Sequence, residues 1–139
     1  MVGSLVAPTE LLGSWRLERR LADRTTDTIG RVTGTLRLSR LDDQVSWSER
    51  GVLSWAGRTM EVYRELRIRP EGAGWMVCFT DGREFHPWLP GESVLHPCRA
   101  DRYTGLVLVD RDRRRLRVGW DVVGPAKHQR ILTRCYRLG

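Results

Sequence analysis

Two histidines in neighbouring apolar segments are the residues of this sequence best suited to chemistry. His86 ends the segment DGREFH, and His96 opens the segment HPCRADRY. An imidazole titrates near neutral pH, so it can transfer a proton or hydrogen-bond a polar ligand. We therefore predict acid/base chemistry at His86 and His96, with a purely structural role for each histidine as the alternative.

Three further residues are predicted to act with the two histidines as catalytic groups. Asp101 and Tyr103 follow His96 closely, and Lys127 is the only lysine in a chain whose other strongly basic side chains are arginines. Lysine, unlike arginine, can lose its proton when buried, and its ammonium group can hold a carboxylate or stabilise an enolate. The alternative for Lys127 is an ordinary surface position.

A second set of residues is predicted to bind the substrate. Glu49, Tyr63 and Arg64 are expected to form an internal hydrogen-bonding network, and Trp88 is expected in a loop at the rim of a pocket. The complete set is Arg83, Cys98, Glu49, Tyr63, Arg64, Trp88 and Trp120. Ligand sites combine apolar walls with a few convergent polar groups. The set therefore predicts a small apolar or aromatic substrate that carries a carbonyl or carboxylate.

The same segments permit two other chemistries as alternatives. Cys98 shares a strand face with His96, so an activated thiolate is one alternative, but no nucleophile-elbow motif accompanies it. The two histidines and Asp101 match no established metal-binding spacing. We therefore expect neither a metal nor a cofactor. Cys78 and Cys135 are expected to be buried free thiols, because the sequence contains no CxxC pair.

The elements that position these residues follow a period of two. Trp15, Leu17 and Leu21 share one face of the first such segment, although Arg19 interrupts that face. Similar segments recur roughly every 8–12 residues between turn signals, which is typical of a barrel or sandwich. A helical turn is expected only near the N-terminus, over residues 4–12, where Pro8 suits a helix start.

Local sequence signals predict two turns between strands. Asp81-Gly82 is a hairpin signal, because glycine tolerates the positive φ of a tight turn. On the strand that follows, alternation places Arg83 and His86 on opposite faces unless a bulge intervenes, and it places Phe85 on the face opposite to His86. The arginine-rich run at residues 111–115 is predicted to be a turn between two strands.

These patterns predict an all-β fold. The simplest topology is a single antiparallel up-and-down meander of about eight to ten strands that closes into a barrel, since closure removes exposed sheet edges. The predicted organisation is one domain over residues 1–139, with a helical plug over residues 1–12 and the barrel over residues 13–138.

Composition supports one globular domain. The chain has 139 residues, of which 40% are hydrophobic and 29% charged, and a chain of this length can bury a core without disulfides. No apolar run approaches the roughly 20 residues of a membrane-spanning helix, and no signal peptide is recognised, so a cytoplasmic location is expected.

The net charge of +7 comes from scattered arginines, which favours a solvated surface. Nucleic-acid binding is the alternative and would depend steeply on salt.

Gly13-Ser14-Trp15 resembles the Gly-x-Trp signature of the lipocalin and calycin barrels. In those families the tryptophan packs across the closed end of the barrel, and a basic residue of the last strand, here Arg134 or Arg137, lies over its ring. The wider pattern of GSW, DGREFH, HPCRADRY and VGPAK resembles a bacterial family of lipocalin-like proteins known as a domain of unknown function. The sequence lacks the glycine-rich opening of the nitrobindin-like haem barrels, so haem is not implied.

These expectations together predict a cofactor-independent enzyme that acts on a small molecule inside the barrel. Cyclisation, isomerisation, dehydration and hydrolysis all remain compatible with acid/base residues in an apolar enclosure. The alternative is a carrier that binds a small hydrophobic molecule without chemistry, which rests on the fold analogy alone. The expected partner is a small molecule rather than nucleic acid or a membrane, and the expected state is a monomer or homodimer.

Overall fold

The computed structural model describes residues 6–139, which form a 3-10 turn and one ten-stranded sheet. The 3-10 turn spans Pro8–Leu11, and the strands are β1 (Gly13–Asp23), β2 (Thr28–Leu41), β3 (Gln44–Trp55), β4 (Arg58–Glu71), β5 (Gly74–Phe79), β6 (Glu84–Pro87), β7 (Ser93–Cys98), β8 (Asp101–Val109), β9 (Arg115–Gly124) and β10 (Lys127–Arg137). The helical turn predicted over residues 4–12 is thus shorter than expected, and residues 4 and 5 lie outside the described residues.

The sheet is an up-and-down meander that curls back on itself. Its order is β6-β5-β4-β3-β2-β1-β10-β9-β8-β7, and the pairing of β1 with β10 is antiparallel like all the others. The two end strands, β6 and β7, lie in contact without ladder pairing. The predicted all-β antiparallel barrel is therefore confirmed, and its closure is nearly complete.

A two-residue period decides which side chains point into the barrel. On β1, Trp15 and Leu17 are buried while Arg16 and Glu18 are exposed, as expected for a strand with one face on the core. Gly34 on β2 must lack a side chain, because the backbones of β2 and β3 approach each other closely at this position. A Cβ atom there would collide with the carbonyl oxygen of Arg50 on β3. Glycine at this position lets the strands bend tightly around the core.

Trp15 closes one end of the barrel. Its side chain is fully buried, and its indole Nε1 donates to the carbonyl oxygen of Leu11 at 3.0 Å. The guanidinium of Arg137 lies 4.9 Å from the centre of the Trp15 ring and donates hydrogen bonds to the carbonyl oxygens of Leu12 (2.9 Å) and Glu10 (3.0 Å). Of the two basic residues expected over this ring, the structure places Arg137 there.

Several local expectations also match the structure. Gly82 has a φ of +94° in the turn between β5 and β6, and the arginine-rich run at residues 111–115 connects β8 to β9. Cys78 and Cys135 are buried free thiols. Among the residues described, no helix is long and apolar enough to cross a membrane.

The substitution Arg137→Ala is expected to lower the free energy of unfolding by about 2 kcal/mol, because it removes a cation–π contact and two charge-assisted hydrogen bonds. Urea denaturation followed by tryptophan fluorescence measures the change. Arg58→Ala is the matched control, since Arg58 is exposed and makes no side-chain hydrogen bond or ion pair to residues 6–139. Equal stability of the two variants would contradict the role assigned to Arg137.

Candidate functional site

A buried carboxylate held by two arginines lies inside the barrel. Glu49, on β3, is only 4% exposed. It accepts hydrogen bonds from Arg19 (Nη1–Oε1 2.9 Å and Nη2–Oε2 3.0 Å), from Arg64 (Nη2–Oε2 2.9 Å) and from the indole Nε1 of Trp47 (2.8 Å to Oε2). Arg19 also donates from Nε to the hydroxyl of Thr133 at 2.7 Å. The arginine that interrupts the apolar face of β1 is therefore the partner of a buried acid.

The charges of this cluster do not cancel. Burial by itself raises the pKa of Glu49, but the guanidiniums of Arg64 and Arg19 outweigh it and lower that pKa to about 2. Two guanidiniums against one carboxylate leave one positive charge in excess. The side chain of Arg64 is 42% exposed and that of Arg19 is 14% exposed, so the excess charge is accessible at Arg64.

His86 is a buried neutral base beside this cluster. Its ring Nδ1 lies 2.8 Å from the carbonyl oxygen of Pro87. Because a carbonyl only accepts, Nδ1 carries the proton and Nε2 keeps a free lone pair. Burial lowers the pKa of His86, the hydrogen bond to the Pro87 carbonyl opposes this in part, and electrostatic interaction with the neighbouring His96 and Arg64 side chains lowers the pKa further. The imidazole therefore stays unprotonated at neutral pH.

An aromatic cluster surrounds the two histidines. The ring of Phe85 lies 4.8 Å from the ring of His86, 5.0 Å from that of His96 and 5.0 Å from that of Trp120, between ring centroids. Tyr103 lies 5.8 Å from His96. His86 is on β6 and His96 is on β7, so the two imidazoles lie on opposite sides of the unpaired seam of the sheet, and both contact the ring of Phe85.

The position of Phe85 corrects the simple alternation. Val77 pairs with His86, but the next residue, Cys78, pairs with Glu84, so the register shifts between them and leaves Phe85 as an extra residue. Such a bulge changes the direction of side chains that would otherwise alternate. Phe85 therefore packs against Trp120 inside the barrel instead of facing away from His86.

The interior contains almost no free space, which corrects the expectation of a hollow with room for a small ligand. A space of about 50 Å³ lies beside the cluster of Arg19, Glu49 and Arg64, and a cavity of about 20 Å³ lies beside His86, which is room for about one water molecule. Among the described residues that line it, only His86 and Arg64 carry titratable or charged groups. The lining is Trp47, Arg64, Leu66, Val77, Phe85, His86, Trp88, Val107, Val118 and Trp120.

Asp101 and Lys127 lie together at the end of the barrel remote from Trp15, which we call the mouth. The Lys127 ammonium is 3.5 Å from Asp101 Oδ2. The carboxylate of Asp101 rests against Gly124, where a Cβ atom would overlap it. These two predicted catalytic groups form a partly exposed ion pair at the rim, apart from the cavity beside His86.

Three predicted binding residues lie outside the interior, which corrects their expected placement. Tyr63 is 60% exposed, and its hydroxyl donates to Glu65 at 3.1 Å on the outer face of β4, so it is not part of the internal network of Glu49 and Arg64. Arg83 pairs with Asp81 at 2.7 Å on the surface. Cys98 is exposed at the end of β7.

Trp88 is also placed differently from the prediction. It is buried rather than at a rim, and its indole Nε1 donates to the carbonyl oxygen of Val6 at 2.7 Å. Its ring forms part of the wall of the cavity beside His86. Trp88 therefore packs the interior and is fixed by a backbone hydrogen bond.

Sequence reasoning missed Arg19 as a member of the site. The available signal was its position, because a charged residue on an otherwise buried strand face needs a buried partner. Within residues 6–139, no three His, Cys, Asp or Glu side chains come together as a group that could hold a metal ion.

The pH dependence of stability tests the buried cluster. The folded-state pKa of Glu49, about 2, is below its ordinary value of 4.5, so its stabilising contribution is complete above pH 4.5 and is lost as the pH falls towards 2. We expect the difference in unfolding free energy between the wild type and Glu49→Gln to shrink, by on the order of 3 kcal/mol, between pH 7 and pH 2. Urea denaturation at both pH values measures it.

Glu61→Gln is the control for that experiment, because Glu61 is an exposed carboxylate on the neighbouring strand. Its difference from the wild type should stay nearly constant with pH. A constant difference for Glu49→Gln as well would contradict the assignment of Glu49 as a buried, permanently charged acid.

Comparison with known proteins agrees with this geometry at the level of the fold. A search among curated proteins finds no match. Among solved structures, the S-type phycobiliprotein lyase CPES from Guillardia theta is similar, with a TM-score of 0.64, 8% sequence identity, and coverage of 95% of this chain and 90% of that chain. Because the sequence identity is so low, this similarity shows only that the two proteins share a fold. The model of the family described as "Family of unknown function (DUF6314)" matches residues 11–137, and the chain belongs to that family.

Proposed function

We propose that this protein binds a small planar anion between the mouth and the centre of its barrel, and that His86 transfers a proton to and from the bound molecule. One observation carries the proposal. Among the residues described, the neutral imidazole of His86 and the accessible guanidinium of Arg64 are the only titratable or charged groups on the wall of an otherwise apolar cavity. A base and a cation in a dry enclosure suit the formation of an enolate-like anion.

Arg64 is the group that would hold the anion. It donates from Nη2 to Glu49, while its Nε and Nη1 make no hydrogen bond to residues 6–139. A guanidinium can bind a carboxylate through two parallel hydrogen bonds. Because the cluster of Arg19, Glu49 and Arg64 has a single excess positive charge, a monoanion would neutralise it.

The shape of the remaining space favours a flat ligand. The cavity beside His86 admits only a group of about the size of a water molecule. The rest of the ligand would therefore lie towards the mouth. The barrel is open to solvent at that end, since Met60 faces inward there and is 56% exposed. Phe85, His96 and Tyr103 border this path, and a planar molecule can stack on such rings. Binding requires these side chains to move, because they fill the interior.

The chemistry that fits these groups is reversible proton transfer next to a carbonyl. His86 Nε2 would take a proton from the carbon beside the carbonyl, and the oxygen of the resulting enolate would take a proton from solvent, giving the enol. His86 would then release its proton to solvent, so that the keto form is isomerised to the enol with no net gain or loss of atoms. The solved structure that shares this fold is named as a lyase, which is compatible with such chemistry, but the proposal rests on the cavity.

Phenylpyruvate is a suitable probe, because it is planar as its enol, carries a carboxylate and has an acidic C–H group. We expect the wild type to bind it and to catalyse its keto–enol conversion, followed by ultraviolet absorbance. His86→Gln should keep the affinity within about twofold and lower the rate at least about 100-fold, because it removes the base. Arg64→Gln should weaken binding about tenfold, because it removes a charge-assisted hydrogen bond.

Tyr63→Phe is the matched control, because Tyr63 lies on the outer face of the strand that carries Arg64. It should leave both affinity and rate unchanged. Binding without any conversion in the wild type would favour the carrier function over the enzyme. Failure of phenylpyruvate, cinnamate and benzoate all to bind would reject the proposed site.

The rate should also depend on pH through His86. The pKa of His86 is lowered from its ordinary value of 6.5 by burial, so the neutral base persists below that pH and is lost only as the pH falls through the lowered pKa. We expect the rate of phenylpyruvate conversion to be flat above pH 6.5 and to decline below it. A decline that begins above pH 7 would contradict His86 as the buried base.

A further inference from the structure

The outer face of β8, β9 and β10 contains a depression of about 430 Å³, a volume in the range of small-molecule sites. Gly119 forms its floor, because the position faces outward and has no side chain. Leu106 and Leu132 form apolar walls and are exposed. This space is larger than the cavity inside the barrel and lies on the opposite side of the sheet.

Two arginines stand at one end of this depression. Arg117 on β9 and Arg134 on β10 are directly opposite each other in the antiparallel ladder. They also line an adjoining depression of about 260 Å³ that includes Arg115 and Tyr136. Like charges directly opposite in a sheet destabilise it, so an anion between them would relieve a repulsion built into the fold.

Few acids compensate this pair. Arg117 contacts Asp110 at 3.2 Å, and Glu18 is the cross-strand neighbour of Arg134 on β1. Arg134 nevertheless makes no side-chain hydrogen bond or ion pair to the part of the chain that the structure describes. Its guanidinium therefore keeps its donors available for a ligand.

We propose that this outer depression binds a phosphate monoester whose phosphate lies between Arg117 and Arg134 and whose apolar group lies between Leu106 and Leu132, over Gly119. A phosphate monoester carries a charge of about −1.5 to −2 at neutral pH and three strong acceptor oxygens. Arg134 has no ion-pair partner among residues 6–139, and Arg117, although it contacts Asp110, lies directly opposite Arg134, so the two guanidiniums can donate to separate phosphate oxygens.

Phenyl phosphate is the probe, with binding measured by isothermal titration calorimetry. We expect the wild type to bind it with saturation, and Arg134→Gln to weaken binding about tenfold. Gly119→Val should weaken it comparably, because the added side chain fills the floor while only the flexible end of Leu132 lies near the new Cβ atom, at 3.3 Å. Inorganic phosphate should bind more weakly than phenyl phosphate, because it lacks the apolar group.

Arg31→Gln is the matched control, since Arg31 is an exposed outer-face arginine on β2 and does not line the depression. It should bind phenyl phosphate like the wild type, and circular dichroism should show that all variants are folded. Absence of saturable binding by the wild type would overturn the proposal. Loss of binding in Arg64→Gln but not in Arg134→Gln would also overturn it, because the probe would then occupy the interior.

Discussion

A buried negative charge inside a small barrel is the constraint on which the rest of this structure depends. Transfer of a lone carboxylate from water to a protein interior is strongly unfavourable unless it is paired and fully hydrogen-bonded. Glu49 meets this requirement through Arg19 on β1 and Arg64 on β4. The ion cluster therefore couples three strands, and it holds Arg64 with its unpaired donors at the cavity that His86 borders.

The second feature of the interior is that aromatic rings fill it. Phe85 packs against Trp120 and both histidines, so only about 20 Å³ of free space remains beside His86 in this state. The rings belong to strands on both sides of the unpaired seam between β6 and β7. Contacts across a seam without ladder hydrogen bonds are easier to separate than paired strands. Movement there would open the interior and change the distance between the imidazoles at the same time.

The inner and outer faces of the same strands have different electrostatic character. On the inner face, Arg19 and Arg64 share the single carboxylate of Glu49, which leaves one positive charge and favours a ligand with one negative charge. On the outer face, arginines alternate with polar and apolar residues, and Arg134 lies opposite Arg117 without an ion-pair partner among residues 6–139. The two-residue period of a strand separates these environments by the thickness of one sheet.

The sequence alone was sufficient for the features that depend on local alternation and turns. The period of two identified the inward set that includes Trp15 and Leu17, and the glycine of the Asp81-Gly82 pair identified a hairpin, because both signals act over a few residues. Only the tertiary structure revealed that Arg19 meets Glu49 over the intervening strand β2, that a bulge turns Phe85 inward, and that Tyr63 faces outward. Such contacts join residues far apart in the chain, or shift a register by one residue, and packing of the whole sheet determines both.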